Sequence, residues 1–221
     1  MIGGEIRSVV FRDTKDCYLR TAPDAVAVSL IEFAKAHGGR AVLDLGCATG
    51  NYCAALARLG FDVKGADVNP EYVHIARERG IDAQVVTDRV PFPDQSFDTV
   101  LLFEVLEHLA DPARIVAEAR RLARKNVLVT VPHCGAIADL QATGLLFEHF
   151  ADLDHKSFYT ESSLGELLRP FFSRVEIAKG DAINPLALFG SGWLPALGRT
   201  LMKLKVLRPR YHFRLYAQGV V

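Results

Sequence analysis

The chain has 221 residues, of which 50% are hydrophobic and 24% charged, and no net charge at neutral pH. That length holds one domain with a full core and a modest appendage, and the composition excludes a disordered or fibrous chain. No apolar run reaches the ~18 residues of a membrane span. The opening MIGGEIRSVVFRD lacks the basic-then-apolar order of an export signal. A cytoplasmic protein is therefore expected, with Cys17, Cys47, Cys53 and Cys134 as reduced thiols.

The neutral total conceals a segregation. All 26 acidic residues lie at or before Asp181, whereas the stretch beyond carries Arg199, Lys203, Lys205, Arg208, Arg210 and Arg214 and no acid, a net of +6 against −6 for the rest. A neutral whole and an acidic body count against a nucleic-acid partner, and the basic tail needs its own explanation.

In chain order, residues 1–37 read as an N-terminal helical cap with its best helix at 24–36, and residues 38–221 as the main domain. Strands are predicted at 41–46, 62–67, 82–86, 97–103 and 126–131, alternating with helices, the pattern of a parallel sheet with crossover connections. The helix near 51–59 offers Ala54, Ala55 and Ala57 for close packing. Asn69 as cap, Pro70 in the first turn and Gly80 at the end define the next helix. FDTVLLF is almost wholly apolar, as a strand buried on both faces should be. Asp111-Pro112 opens a helix whose stripe is 115, 116, 119 and 122. A loop-rich stretch, 132–158, holds His133, His149 and His155; Thr160 then opens a helix that Pro170 stops. Alternating strands are predicted at 174–179 and 212–218, separated by an insertion, 180–211, rich in Leu, Pro and basic residues.

The chemistry concentrates in VLDLGCATG (42–50). A glycine-bearing turn after the first strand marks the crevice at the strand ends where nucleotides bind. A pyrophosphate site would have GxGxxG and a helix N-terminus facing the phosphates. Here Gly46 and Gly50 are four apart, Asp44 stands at the turn, and no GKS/T follows to make a P-loop. A carboxylate there repels pyrophosphate and suits a cationic amino-acid head, such as the ammonium and sulfonium of S-adenosylmethionine. Asp67, ending the second strand, is placed to accept from ribose hydroxyls. Asp88, after the third, is placed to accept from an adenine amino group, with Val68 and Val90 as apolar walls. Any one of these acids alone reads as a solvated turn carboxylate; three at successive strand ends do not. Cys47 reads as a small residue in a tight loop rather than a nucleophile.

LDLGCATG, ADVNPE and TDRVPFPDQSFDTVLLFEVLEHLADP together resemble the class I S-adenosylmethionine-dependent methyltransferases, in particular the type 11 and ubiquinone-pathway group, over roughly residues 40–180. The resemblance implies a Rossmann-like α/β fold: a seven-stranded sheet with helices on both faces and an antiparallel last strand. It also implies that Asp44, Gly46 and Gly50 cradle the methionine part, Asp67 takes the ribose, Asp88 and Arg89 flank the adenine, and Phe103 and Glu104 line the floor; Cys47 and Val68 are further cofactor-binding candidates. The sequence departs from the family at Ala48, where the middle glycine of GxGxG usually stands.

Methyl transfer needs chiefly alignment and exclusion of water, with a base where the acceptor is a hydroxyl. Glu107 and His108 in EVLEHL are the catalytic candidates, with His133 as another possible base. The residues themselves assign no metal ligand. EVLEHL with the later DHKSFYT is nonetheless similar to elements of small-RNA 3′-end 2′-O-methyltransferases. That similarity would make Glu104, Glu107, His108 and His155 a divalent site, with His149 as a substitute. The expected activity is O-methylation of a small or lipophilic acceptor. Its alternatives are metal-assisted RNA 2′-O-methylation, a non-catalytic S-adenosylmethionine-binding protein and, more remotely, a nicotinamide dehydrogenase. From Trp193 to Arg208, leucines at helical spacing beside Arg199 and Lys203 fit either a pocket lid or a helix lying on a membrane surface.

Overall fold

The computed structural model describes residues 25–87, 89–135, 154–184, 186, 193–207 and 211–221. Its strands are β1 (Ala41–Leu45), β2 (Asp62–Asp67), β3 (Ala83–Val85), β4 (Phe97–Phe103), β5 (Ala123–Pro132), β6 (Arg174–Ala182) and β7 (His212–Val220). They form one sheet in the order β3-β2-β1-β4-β5-β7-β6. The pairs from β3 to β5 are parallel, while β7 runs antiparallel to both β5 and β6. This is the expected class I methyltransferase sheet, and the chain reverses strand order beside β1, where such sheets open a crevice.

The helices are α1 (Val28–His37), α2 (Asn51–Arg58), α3 (Pro70–Glu78), α4 (Pro112–Leu122), α5 (Glu161–Leu168) and α6 (Trp193–Lys203), with a 3₁₀ turn at Leu106–His108. Strand alternation sorts them onto two faces. Leu43, Leu45, Val100, Leu102, Val127 and Val129 pack with Val116, Ala119 and Leu122 of α4 and Leu164 and Leu168 of α5. Val42, Leu101, Phe103 and Leu128 point the other way, onto Leu30, Ile31 and Ala34 of α1 and Leu56 of α2. A third cluster joins Cys47 and Cys53 to Val73 and Ala76 of α3.

The caps follow from residue chemistry. Asn69 accepts from the Glu71 and Tyr72 amides. Thr160 and Ser163 exchange side-chain and backbone hydrogen bonds in a capping box. Asp111, expected to open α4, makes no side-chain cap bond; Pro112 in the first turn starts that helix.

Several boundaries differ from the sequence reading. α1 begins at Val28 rather than 24, with Ala27 in the N-cap place. β5 starts three residues early, its bulged register with β4 beginning at Phe97↔Ala123. β6 runs on to Ala182, taking the first residues of the supposed insertion, because β7 offers partners as far as His212. α6 ends at Lys203, and Leu204–Leu207 form a turn in which the Val206 and Leu207 amides both return to the Leu201 carbonyl. The loop residue His149 and the tail residues Arg208 and Arg210 lie outside the described residues, as does Cys17. Among the described residues no helix is long and apolar enough to cross a membrane.

Candidate active site

The parallel strands all point their carboxyl ends at one edge, and the turn after β1 sits there. Gly46 has φ +95° and Gly50 has φ +80°, a region that glycine enters without penalty. A Cβ on Gly46 would lie 2.5 Å from a methyl of Val105, so the turn also requires the missing side chain. Between them Ala48 is held at φ +46°. The departure from the family pattern noted in the sequence thus falls on a residue whose backbone is strained.

Asp67 fixes this turn. Its two carboxylate oxygens accept from the Ala48 amide at 2.8 Å and the Asn69 amide at 2.9 Å. The acid assigned to ribose therefore also shapes the loop, with lone pairs left over for a diol. Arg79, at the end of α3, adds a clamp from the far side, donating to the Thr49 carbonyl and to Asn51 Oδ1.

Asp44 is buried, at 2% exposure. Burial pushes its carboxyl up to about 7, Asp67 nearby adds to the rise, and a hydrogen bond from Cys53 Sγ at 3.4 Å opposes it. A buried carboxylate without a cation is costly, and a ligand bearing an ammonium would supply that cation. Cys47 is buried against Gly65, consistent with a packing role. Of the two valines expected as apolar walls, Val68 is exposed and Val90 buried. Arg89 is exposed. Asp88 lies outside the described residues.

Phe103 lies beneath the turn, edge-on to Tyr52 of α2 and close to Phe33 of α1. The Tyr52 hydroxyl accepts from the Ala27 amide, which ties α1 to this floor. Glu104 follows with φ +54°, and its amide donates to the Thr130 carbonyl. Its carboxylate turns to Arg214 of β7, 3.0 Å from Nε. Arg214 also pairs with Asp181, whose φ is +52° and whose carboxylate accepts from the Tyr216 hydroxyl at 3.0 Å. Charge counting grouped Arg214 with the basic tail. It is instead largely buried between two carboxylates, and the alternation of HFRLYAQ, which puts Arg214 on the same sheet face as Tyr216, was the available signal.

Glu107, His108 and His155 come together: one ligand atom from each lies within 4.8 Å of the others. The Glu107 carbonyl accepts from the Lys156 and Ser157 amides, which draws His155 onto the 3₁₀ turn. The two imidazoles meet edge to face, 4.8 Å between centroids. Glu104 is not in this group, because Arg214 holds it. The four-residue metal set implied by resemblance is thus reduced to three, a mixed oxygen and nitrogen set whose chemistry fits a divalent ion. His133 stands apart. Its Nδ1 lies 3.2 Å from the His212 carbonyl, which leaves Nε2 as the basic atom, and burial lowers its pKa.

Comparison with known proteins agrees with this fold. Residues 43–131 match the model of the family described as "Methyltransferase domain". The chain is 30% identical over 179 residues to the ubiquinone biosynthesis O-methyltransferase of Xanthomonas oryzae pv. oryzae (strain PXO99A), covering 67% of this chain and 75% of that one. It is 32% identical over 138 residues to methyltransferase GfsG of Streptomyces halstedii, covering 58% and 48%. Among solved structures, an S-adenosylmethionine-dependent methyltransferase from Archaeoglobus fulgidus superimposes with a TM-score of 0.68 at 16% identity, covering 91% of this chain and 96% of that one. Magnesium protoporphyrin IX methyltransferase from Synechocystis PCC 6803 does so with a TM-score of 0.61 at 16% identity, covering 95% of each. The fold and the strand-end turn define a class I nucleotide-binding enzyme. The chain belongs to the S-adenosylmethionine-dependent methyltransferases, and S-adenosylmethionine is its cofactor.

Proposed function

We propose that the chain methylates a hydroxyl oxygen of a small, lipophilic acceptor. The observation that carries this reading is the Glu107, His108 and His155 group, one turn beyond β4 and beside the cofactor crevice. A hydroxyl acceptor loses a proton on methylation, and this group is placed to take it. The name of the Xanthomonas relative, an O-methyltransferase of ubiquinone biosynthesis, supports the same reading.

In this assignment Asp44 holds the cofactor's ammonium, Gly46, Cys47 and Gly50 admit its methionine part, and Asp67 with Val68 receives the ribose. Asp88 and Arg89 flank the adenine, while Phe103 and Glu104 form the floor. S-adenosylmethionine supplies an electrophilic methyl on a sulfonium whose departure leaves a neutral thioether. With the cofactor held by these residues, His108 or Glu107 would take the proton that the acceptor hydroxyl gives up as it receives the methyl.

A second reading is favoured by the spacing of the three donors: Glu107, His108 and His155 would hold a divalent cation that acidifies the acceptor hydroxyl. Transfer of labelled methyl from S-adenosylmethionine to catechols and hydroxylated prenylbenzenes, with small RNA in parallel, tests the acceptor class. Labelling of RNA alone, or of no acceptor while cofactor binds, would remove the small-molecule reading.

A further inference from the structure

The leucine-rich, basic segment after β6 divides its apolar residues between two sides. On the inner side of α6, Gly198 is buried against Asn184, whose amide nitrogen donates to the Pro195 carbonyl at 2.8 Å. Leu194, Leu201 and Met202 are half-buried on that side. On the outer side Trp193 and Leu197 are exposed, Trp193 at 72%. Leu204 continues this side, since its amide still returns to the Thr200 carbonyl in helical fashion, and it is 67% exposed. At ~100° per residue, Trp193, Leu197 and Leu204 stand within ~40° of one another, an outward ridge. Arg199 and Lys203, both exposed, lie together on one side of it, ~100–140° round the helix from its centre, and exposed Lys205 and Val206 follow it in sequence.

We propose that this ridge docks on an anionic lipid bilayer surface. Charge complementarity selects that occupant. The described segment 193–207 carries three cations and no acid, while residues up to Asp181 carry a net −6. An anionic surface therefore attracts this side and repels the remainder, which orients the molecule as well as binding it. The tryptophan and leucines beside these cations then enter the headgroup boundary, as in helices that lie in an interface. The segment also leaves β6 at Ala182 and returns at His212, paired residues at the edge where Pro132 pairs with Arg214. It is rooted at the same strand-end edge as the crevice. The inference concerns this surface alone and stands apart from the acceptor proposed above.

Trp193 is the chain's single tryptophan, so its fluorescence reports on this ridge directly. Vesicles of phosphatidylglycerol and phosphatidylcholine should shift its emission to the blue, pure phosphatidylcholine should not, and molar salt should reverse the shift. The K203E/K205E variant, altered only at exposed positions and checked for an unchanged melting temperature, should bind the anionic vesicles at least ~20-fold more weakly. No shift, an equal shift on both lipids, or wild-type binding by the variant overturns the proposal. So does emission already blue-shifted without lipid together with a concentration-dependent dimer in sedimentation, which would mean that a second copy covers the ridge.

Discussion

Arg214 on β7 and Glu104 at the end of β4 are 110 residues apart in sequence and 3.0 Å apart in space. The contact crosses β5 and binds the antiparallel end of the sheet to the floor of the crevice. Both carboxylates that hold Arg214 come from residues in the left-handed backbone region, where strain marks positions fixed by their surroundings.

Removing the guanidinium leaves two partly buried carboxylates facing each other. Arg214→Ala should destabilise the protein by about 2–4 kcal/mol. Arg214→Lys should recover only part of this, since an ammonium does not reproduce the fork. Urea unfolding of the two variants gives the comparison, and equal losses would mean that charge alone matters.

Asp44 gives a pH dependence of defined sign. Its carboxyl titrates near 7 in the folded protein against 3.8 for an unperturbed aspartate, so between pH 4 and 7 the folded state holds a proton that the unfolded state has lost. Stability without cofactor therefore falls as pH rises through this window. Asp44→Asn should remove that slope and stabilise the protein by roughly 2–4 kcal/mol at pH 8, while weakening S-adenosylmethionine binding. Thermal melts across pH and titration calorimetry read the two effects separately.

Ala48 at φ +46° should improve on replacement by glycine. Ala48→Gly relieves left-handed strain of about 1–2 kcal/mol against a glycine entropy cost of about 0.5–1 kcal/mol, a net gain of up to about 1 kcal/mol by denaturant titration. Gly46→Ala should do the opposite, since its Cβ meets Val105, and should abolish cofactor binding.

The base and metal readings of Glu107, His108 and His155 separate on chelation. If an ion sits there, EDTA should abolish transfer without displacing cofactor, Mg²⁺ or Mn²⁺ should restore it, and Glu107→Gln should lose the response to added metal. If the group acts only as a base, EDTA should leave the rate unchanged and His108→Ala should lower it by about 10²–10⁴-fold.

The sheet was legible from the sequence because its signals are local: apolar runs such as FDTVLLF, and caps such as Asn69-Pro70 that need only their own neighbours. Asp44, Gly46, Gly50 and Asp67 were legible for a related reason, since strand-end turns place them by topology. The role of Arg214 was not, because charge counting assigns a residue to its stretch of chain and not to the strand across which its side chain reaches. Glu104 entered the metal set implied by the resemblance through the same omission. EVLEHL presents it beside Glu107 and His108, and only the partner on β7 shows that it is engaged elsewhere. Boundaries such as the end of β6 moved because pairing with β7, a long-range event, extends a strand beyond its own alternation.

The strand order has a consequence for how the molecule is made. β6 is synthesised before β7, yet in the finished sheet its neighbour among the described strands is β7 alone. Until residues 212–220 have emerged from the ribosome, β6 has no partner and β5 presents an open edge, an invitation to pair with other nascent chains. The strand that separates them closes both edges in one event. Between those two moments the half-built sheet is a natural client for a chaperone.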